Sequence, residues 1–218
     1  MAATMRTIDE TAIRHGGIPR VVLMEHAGFA VARVTRRWIG SPPQRVSVCC
    51  GLGYNGGDGL CAARHLAQWG YAVRVWLAGR RAQLRDEPAT YARMLAWLGV
   101  PIVEAGESYD AVMKPSAWWR NSAAIIDALL GIGVHGRVRP VYASIIDRIN
   151  RARIPVVAVD IPSELHADTG QPCGGAVFAD VTVTFGRPKQ GLLLGKGPAH
   201  TGRLVVDAIT FPPQLLAS

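Results

Sequence analysis

Three apolar stretches of the sequence each end in a polar or glycine-rich segment, and these segments hold the residues best suited to chemistry. The first segment, Gly51–Gly59, contains Asn55 and Asp58 among five glycines in nine residues. The other two segments begin with Asp127 and Asp160. Aspartate is a poor strand residue, so a carboxylate at the end of an apolar run is a candidate for a functional role. It can also simply cap the following turn or helix, and this structural interpretation stays open.

Oxygen atoms dominate this set of side chains. Asn55 and the two aspartates, together with Ser163, form a group suited to a hard cation. A carboxylate at the end of a strand can alternatively act as a general acid or base. His135 lies in the second glycine-containing segment, Gly131–Gly136, where it can reach a ligand. His65 lies on a predicted helix and is interpreted as a packing or surface residue.

The first segment also matches the Gly-x-Gly-x-x-Gly pattern of dinucleotide-binding turns, at Gly51, Gly53 and Gly56. A strand, a glycine-rich turn and a helix hold phosphate because the backbone can approach closely and the helix N-terminus presents free N–H groups. An NAD-binding domain should have an acidic residue about 20 residues later. Here the next strand ends in Arg80-Arg81, which could meet a 2′-phosphate instead. An NADP-dependent oxidoreductase and a simple tight turn therefore remain alternatives.

Apolar periodicity predicts a helical arm at residues 6–38, opened by a capping box at Thr7 and interrupted at Gly16–Pro19, and then alternating strands and helices. The predicted strands are Val46–Cys50, Ala72–Leu77, Ile102-Val103, Ala123–Asp127, Val156–Asp160, Val181–Phe185 and Leu204–Val206. The predicted helices are Asp58–Trp69, Glu87–Leu98, a short one within Gly106–Ser122, and Val141–Arg151. Near-continuous apolar strands indicate an α/β fold with a parallel sheet covered on both faces. If the strands are neighbours, the polar segments meet in one crevice at the C-terminal edge of the sheet.

Bulk properties limit the class of protein. The 218 residues are 49% hydrophobic and 18% charged, which is typical of one globular domain. No apolar run reaches the roughly 18–20 residues of a membrane span and the N-terminus lacks a signal-peptide segment, so no membrane association and a cytoplasmic location are expected. The net charge of +8 suits nucleic acid or a phosphorylated small molecule, but the arginines are scattered, which favours a plain basic surface. The cysteines are interpreted as reduced core thiols: Cys49, Cys50, Cys61 and Cys173.

Several motifs occur in the order typical of one family. They are Val22–Gly28, Gly51–Gly59, Ala62–Leu66, Asp127–Gly133, Val157–Ser163, Ala167–Gly170 and Val183–Lys189. Through them the chain, from about Met5 to Ile209, resembles the NAD(P)H-hydrate epimerase family, also called the YjeF N-terminal domain. The resemblance implies a three-layer α/β/α Rossmann-like sandwich with a mostly parallel central sheet and a helical N-terminal arm. It also implies a single domain over residues 1–218, with the arm at about 6–40 and the α/β core at about 44–210.

The activity implied by the resemblance is an isomerase reaction that interconverts the R and S forms of hydrated NADH and NADPH, a repair of damaged nicotinamide nucleotides. A separate ATP- or ADP-dependent dehydratase acts on only one epimer, and family members are commonly homodimers. Family members bind a potassium ion, for which the matching positions are Asn55, Asp127 and Ser163. The implied substrate-binding residues are Tyr54, Asn55, Gly56, Gly57, Asp58, Gly131, Ile132, Gly133, Val134, His135, Gly136, Arg137 and Asp160. Asp160 is our candidate for the catalytic acid/base group.

Three positions depart from the family pattern. Tyr54 and His26 stand where the family usually has asparagine, and Glu164 stands where it usually has glycine. Glu164 imposes strain if the backbone there needs a positive φ. A non-catalytic module of the same fold, which dimerises and binds RNA or a nucleotide, is the alternative function. Because Asp127 and Asp160 are retained, the enzyme is favoured and nucleic acid is not the expected partner.

Overall fold

The computed structural model describes residues 2–105, 117–133 and 138–217. The helices in these residues are α1 (Ala2–Arg14), α2 (Arg20–Ile39), α3 (Tyr54–Gln68), α4 (Asp86–Trp97), α5 (Ala117–Arg120), α6 (Pro140–Arg151), α7 (Gly197–Thr201) and α8 (Pro213–Leu216). The strands are β1 (Arg45–Cys50), β2 (Ala72–Leu77), β3 (Ile102–Glu104), β4 (Ala124–Ala128), β5 (Val156–Val159), β6 (Val181–Phe185) and β7 (Arg203–Asp207). Every predicted strand is confirmed to within one residue at each end. The short helix predicted within Gly106–Ser122 is found as α5, while residues 106–116 lie outside the described ranges.

The strands form one sheet in the order β3-β2-β1-β4-β5-β6-β7, and each neighbouring pair is parallel. Along the chain, β1 to β3 extend the sheet to one edge, and β4 to β7 then extend it to the other edge. The boundary between β1 and β4 is therefore the topological switch point, where open α/β sheets bind ligands. In the register of the sheet, Asp127 lies between Cys49 on β1 and Ala158 on β5. Strands β1, β4 and β5 are neighbours, so the condition under which the three polar segments meet at one edge is fulfilled.

Both faces of the sheet are covered, which confirms the predicted α/β/α arrangement. Helices α2, α3 and α4 pack on one face, against side chains such as Val48 and Val75. Helices α5 and α6 cover the other face, against side chains such as Cys49 and Ile125. Successive strand residues point to opposite faces, so a sheet covered twice needs continuous apolar strands. This double burial is why the strands could be recognised from apolar runs.

Helix α3 begins at Tyr54 and not at Asp58, so the predicted glycine-rich turn was too long. An extended Gly53 precedes the helix, and the Gly57 N–H donates to the Gly53 carbonyl at 3.0 Å. The glycines inside the helix allow close packing: a Cβ on Gly56 would lie 2.0 Å from the Gly51 carbonyl oxygen, and one on Gly59 2.4 Å from the Ala128 Cβ. This close approach outweighs the roughly 1 kcal/mol that glycine costs within a helix.

The N-terminal arm consists of two helices, as predicted, but α1 starts earlier than expected. It begins at Ala2, so Thr7 lies inside the helix and the predicted capping position is wrong. Met5, Ile8 and Ala12 of α1 pack against Leu23 of α2 and Phe211 near the C-terminus. This small core fixes α1 beside the C-terminal edge of the sheet.

The cysteines agree with their predicted role as reduced thiols. All four are free; Cys49, Cys50 and Cys61 are buried and Cys173 is half-buried. Among the described residues, no helix combines the length and the apolar character needed to span a bilayer.

Candidate functional site

A cavity of about 540 Å³ opens at the C-terminal edge of the sheet, bordered by α1, α2 and the first turn of α3. The predicted substrate-binding residues that line it are Tyr54, Asn55, Asp58, Gly131, Ile132, Gly133 and Asp160. Gly56 and Gly57 are buried in α3 and serve its packing. The predicted residues Val134, His135, Gly136 and Arg137 lie outside the described residues.

Asp127 ends β4 in a fully buried position, and the segment after β5 holds its carboxylate. The Ser163 N–H donates to Oδ2 at 2.8 Å, and the Ser163 hydroxyl donates to Oδ1 at 2.7 Å. The Leu129 N–H also donates to Oδ1, at 3.3 Å, and the Leu130 N–H donates to the Ser163 hydroxyl oxygen at 3.0 Å. Burial raises the pKa of Asp127 to about 6, against the opposing effect of the hydrogen bonds from Ser163 and Leu129. Asp127 and Ser163 therefore tie together the loops that follow β4 and β5.

Asn55, the third residue of the predicted potassium set, approaches the same loops from α3. It borders Gly131, where an added Cβ would lie 3.2 Å from the Asn55 Cβ. The Asn55 Nδ2 atom is buried and has no hydrogen-bond partner in the described part of the chain. The two ends of a carboxamide are assigned from their hydrogen bonds, and turning this one over places an oxygen at the buried position. Asn55, Asp127 and Ser163 then offer only oxygen donors, which fits a hard cation such as potassium.

Asp160 follows β5, and its carboxylate borders the cavity and pairs with a buried cation. The Lys189 ammonium, only 2% exposed, donates to Asp160 Oδ1. The same oxygen accepts the Thr184 hydroxyl at 3.1 Å and the Phe185 N–H at 3.3 Å. Lys189 is itself fixed by the Thr184 hydroxyl oxygen at 3.0 Å and the Phe185 carbonyl at 3.1 Å. These donors stabilise the carboxylate anion through one oxygen, which leaves the other for exchange of a proton.

Two further carboxylates line the same cavity, Asp58 from α3 and Asp9 from α1. Burial and the charge of Asp160 raise the pKa of Asp9 to about 6. Burial, with the charges of Asp160 and Asp9, raises the pKa of Asp58 well above its usual value. The nearby Lys189 ammonium opposes both shifts. The cavity therefore places two carboxyl groups with raised pKa values beside a carboxylate that is paired with a lysine.

Two arginines border the cavity, and one of them lies at the start of α3. The Arg20 guanidinium lies 4.5 Å from the centre of the Tyr54 ring, in cation–π geometry. Arg6 also borders the cavity. Tyr54, one of the departures from the family pattern, thus contacts an arginine at the cavity. A cation beside the free N–H groups of a helix N-terminus, with a second cation bordering the same cavity, suits a phosphorylated ligand.

The backbone after β5 is left-handed at two non-glycine residues, Asp160 with φ 66° and Glu164 with φ 65°. The strain anticipated for Glu164 is therefore present, and such a residue costs on the order of 1–3 kcal/mol. The buried Glu164 carboxylate accepts the Gly175 N–H at 2.8 Å, which offsets part of that cost. The substitution is accommodated without disturbing Asp127 or Ser163.

The arginines predicted as a contact for a 2′-phosphate do not line the cavity. The Arg81 Nε donates to Glu104 of β3 at 2.6 Å, so this residue forms an ion pair at the end of the neighbouring strand.

Sequence reasoning missed Lys189 and Asp9. Lys189 follows β6, so the rule that polar residues after parallel strands converge would have identified it if applied to β6. Asp9 carried no such signal, because it lies on an amphipathic helix whose position depends on contacts with Leu23 and Phe211.

The fold and the cavity define the class of protein: a parallel α/β domain whose crevice combines acid/base groups with a helix N-terminus suited to phosphate. Residues 20–191 match the family model described as the YjeF-related protein N-terminus. The chain belongs to this family.

Its relatives carry two kinds of names. The chain is 39% identical over 205 residues to the NAD(P)H-hydrate epimerase of Limosilactobacillus fermentum, an alignment that covers 94% of this chain and 93% of that protein. It is 42% identical over 201 residues to the bifunctional NAD(P)H-hydrate repair enzyme Nnr of Pyrobaculum aerophilum, covering 91% of this chain and 39% of the relative. The chain thus spans about two fifths of the length of such bifunctional relatives, 39% and 40% in two of them. The crystal structure of yeast ynu0 has the same fold, with a TM-score of 0.77 at 24% identity, covering 94% of this chain and 85% of that one.

Proposed function

We propose that this chain is an isomerase that interconverts the R and S epimers of hydrated NADH and NADPH. The observation that carries the proposal is the cavity at the switch point of the sheet, where Asp160, paired with Lys189, shares the space with Asp58 and Asp9. The similarity to an NAD(P)H-hydrate epimerase over nearly the whole chain supports this choice of substrate.

The proposed reaction breaks and re-forms one carbon–oxygen bond. The hydroxyl of the hydrate is attached to a ring carbon that is bonded to nitrogen. An acid protonates the hydroxyl, the nitrogen lone pair expels it as water, and a cationic ring with a carbon–nitrogen double bond results. Water then adds to the opposite face of the ring and gives up a proton to a base. Since departure and return use opposite faces, proton-transferring groups are needed on both sides of the ring.

The carboxyl groups of the cavity suit these two tasks. Asp160 is the proposed base for the returning water, because Lys189 and Thr184 donate to one of its carboxylate oxygens, which leaves the other to accept a proton. Asp58 is the proposed acid, because it lines the cavity and its burial raises its pKa, which favours the protonated form. Environments that separate the proton affinities of neighbouring carboxyl groups are a common way to assign acid and base. General acid/base catalysis of this type typically contributes about 10²–10⁴-fold to the rate.

Binding of the nucleotide is proposed to use the residues at the start of α3 and the loop after β4. The N–H groups of Tyr54, Asn55 and Gly56 are at the helix N-terminus, beside Arg20, where phosphate groups would be favoured. Asn55, Asp127 and Ser163 would hold the potassium ion, which would supply fixed positive charge near the anionic nucleotide.

Repair would be completed by a dehydratase that acts on one epimer. The bifunctional name of the P. aerophilum relative and its greater length fit such a pairing of activities. An ATP- or ADP-dependent dehydratase is therefore the proposed functional partner, and a homodimer in the cytoplasm is the proposed working form.

The test is a coupled assay with a defined mixture of the two epimers and a dehydratase that consumes only one. Alone, the dehydratase leaves the other epimer untouched. With the chain added, we expect both epimers to be consumed. If consumption stops at the same limit with and without the chain, the proposal is wrong. Micromolar RNA binding that weakens steeply with salt would then favour the non-catalytic module.

A further inference from the structure

A second cluster of ligand-type side chains lies outside the cavity, where α2 crosses α3. Cys61 and His65 are one turn apart on α3, and Glu25 reaches them from α2. A thiol sulfur, an imidazole nitrogen and a carboxylate oxygen, one from each residue, lie within 4.8 Å of one another. None of the three residues lines the cavity.

The separations in this cluster approach those of a metal site. The helices cross closely because Gly28 has no side chain; a Cβ there would lie 2.4 Å from the Cys61 Cβ. The Cys61 Sγ lies 3.5 Å from Glu25 Oε2, and the His65 Nε2 lies 2.9 Å from Glu25 Oε1. Zinc bonds of about 2.0–2.3 Å in a tetrahedron place ligand atoms roughly 3.3–3.7 Å apart. A small side-chain rotation therefore suffices to share one ion.

Surrounding groups orient the carboxylate and the imidazole. The Tyr91 hydroxyl donates to Glu25 Oε2 at 2.8 Å. The rings of Phe29 and Trp69 pack against His65, with centroids 5.2 Å and 5.7 Å away. In known metal sites, contacts of this kind to the ligand side chains hold them in the orientation that binds the metal. The Glu25 side chain is 40% exposed, so an ion can reach the cluster from solvent.

The Arg64 guanidinium now occupies the place that an ion would take. Its Nη2 donates to Glu25 Oε1 and lies 2.9 Å from His65 Nε2. Arginine has no acceptor, so the imidazole nitrogen accepts from Arg64 in one tautomer. In the other tautomer the same nitrogen donates to Glu25 Oε1, 2.9 Å away, so these side-chain atoms converge on one point. The guanidinium does not make all of its possible hydrogen bonds. Its Nη1 donates to Gln68 Oε1 at 2.7 Å, but its Nε is buried without a partner among the residues described.

We propose that Glu25, Cys61 and His65 bind one divalent ion of the zinc type, with water as the fourth ligand and Arg64 displaced along α3. On binding, the Cys61 thiol releases its proton to solvent, and thiolate, imidazole and carboxylate each donate an electron pair to the ion. A sulfur, nitrogen and oxygen donor set selects zinc or cobalt over potassium or magnesium. The ion fastens α2 to α3, the helix whose first turn borders the cavity. The site is independent of the proposed epimerase function.

The experiment titrates the metal-stripped full chain with cobalt(II), which reports thiolate ligation through a charge-transfer band, and then with zinc in competition. We expect one cobalt per chain, displaced by zinc and not by a large excess of potassium. Zinc should also raise the thermal unfolding midpoint by about 5 °C or more at saturating excess. A titration without the charge-transfer band, or without a saturable single site, overturns the proposal.

Variants locate the site. Cys61→Val should abolish the band and weaken zinc binding by more than the roughly 10–100-fold that loss of an outer contact costs. Arg64→Gln should tighten binding by about tenfold or more, because it removes a competing charge. Cys173→Ser and His26→Gln are matched controls that should leave binding unchanged. If Cys61→Val does not fold, Glu25→Gln, which retains the shape of the side chain, decides the question. A band that survives Cys61→Val, a cobalt affinity that is unchanged in Glu25→Gln, or a band that is lost in Cys173→Ser contradicts the assignment.

Discussion

Asp127, the last residue but one of β4, and Asp160, which directly follows β5, lie at the same edge of one sheet, yet their surroundings differ in kind. Asp127 is fully buried, and its carboxylate accepts hydrogen bonds from Ser163 and Leu129. Asp160 is 14% exposed, borders the cavity and pairs with the Lys189 ammonium. Residue type and position at the strand end are the same in both cases. What separates an aspartate that joins two loops from one that borders the cavity is which distant groups surround the carboxylate.

The hydrogen-bond partners also give the two aspartates different roles in the structure. Asp127 joins the loops after β4 and β5, and the second of these loops begins with Asp160. Asp127 thus helps to set the position of Asp160 without touching the cavity itself. Changes at the two positions should consequently separate into effects on activity and effects on stability.

Asp160→Asn is expected to cause the strongest loss. Epimerisation should fall by about 10²–10⁴-fold, because the amide keeps the shape of the side chain but cannot accept a proton. Initial rates in the dehydratase-coupled assay measure this. Since the change also leaves Lys189 buried without its counter-ion, the double variant Asp160→Asn/Lys189→Met is the control, and it should recover stability but not activity. A folded Asp160→Asn protein with a rate close to that of wild type would contradict the proposed role.

Asp127→Ala should act mainly on stability. It leaves the Ser163 N–H and hydroxyl and the Leu129 N–H without their acceptor, so the free energy of unfolding should fall by about 2–4 kcal/mol. Urea denaturation measures the change, and Asp127→Asn, which keeps one acceptor oxygen, should cost less. Repeating both measurements in potassium and in sodium chloride tests the proposed ion as well: a stabilisation specific to potassium should disappear in the alanine variant. Unchanged unfolding in Asp127→Ala would refute the fastening role.

Asp9→Asn should have the smallest effect, and the effect should depend on pH. The folded pKa of about 6 lies above the ordinary value of 3.8, so the folded state binds more protons between these values. The stabilising contribution of Asp9 is therefore present below about pH 4 and is lost as the pH rises through 6. A pKa difference of this size corresponds to roughly 3 kcal/mol, which solvent screening reduces at this half-buried group. Relative to wild type, Asp9→Asn should therefore gain about 1 kcal/mol in unfolding free energy between pH 4 and 7. Denaturation at several pH values checks this, with Glu10→Gln on the exposed surface of α1 as the matched control; a difference that does not change with pH would contradict it.

Predictions from the sequence were most accurate where a local pattern of residues decides the structure, and less accurate where segments distant in the chain meet. Strands such as β1 and β4 were predicted to within one residue, because burial on both faces leaves an uninterrupted apolar run. The convergence of Asn55, Asp127, Asp160 and Ser163 followed from the rule for parallel strand ends. The start of α3 was placed too late, because glycines that favour turns in isolation here allow the helix to pack against the strand ends.

Sequence patterns alone were sufficient for the α/β class, the order of the elements, the family resemblance and the edge of the sheet that carries the site. The elements can be recognised from the local periodicity of apolar residues. The edge of the sheet that carries the site follows from the general rules for connecting parallel strands. The tertiary structure was needed to show that Asp160 pairs with Lys189, that Asp9 enters the cavity from α1, and that Glu25 meets Cys61 and His65. Each of these contacts joins segments far apart in the chain, so the proton affinity of a carboxyl group or the ligand set of an ion is decided only when the packed core brings those segments together.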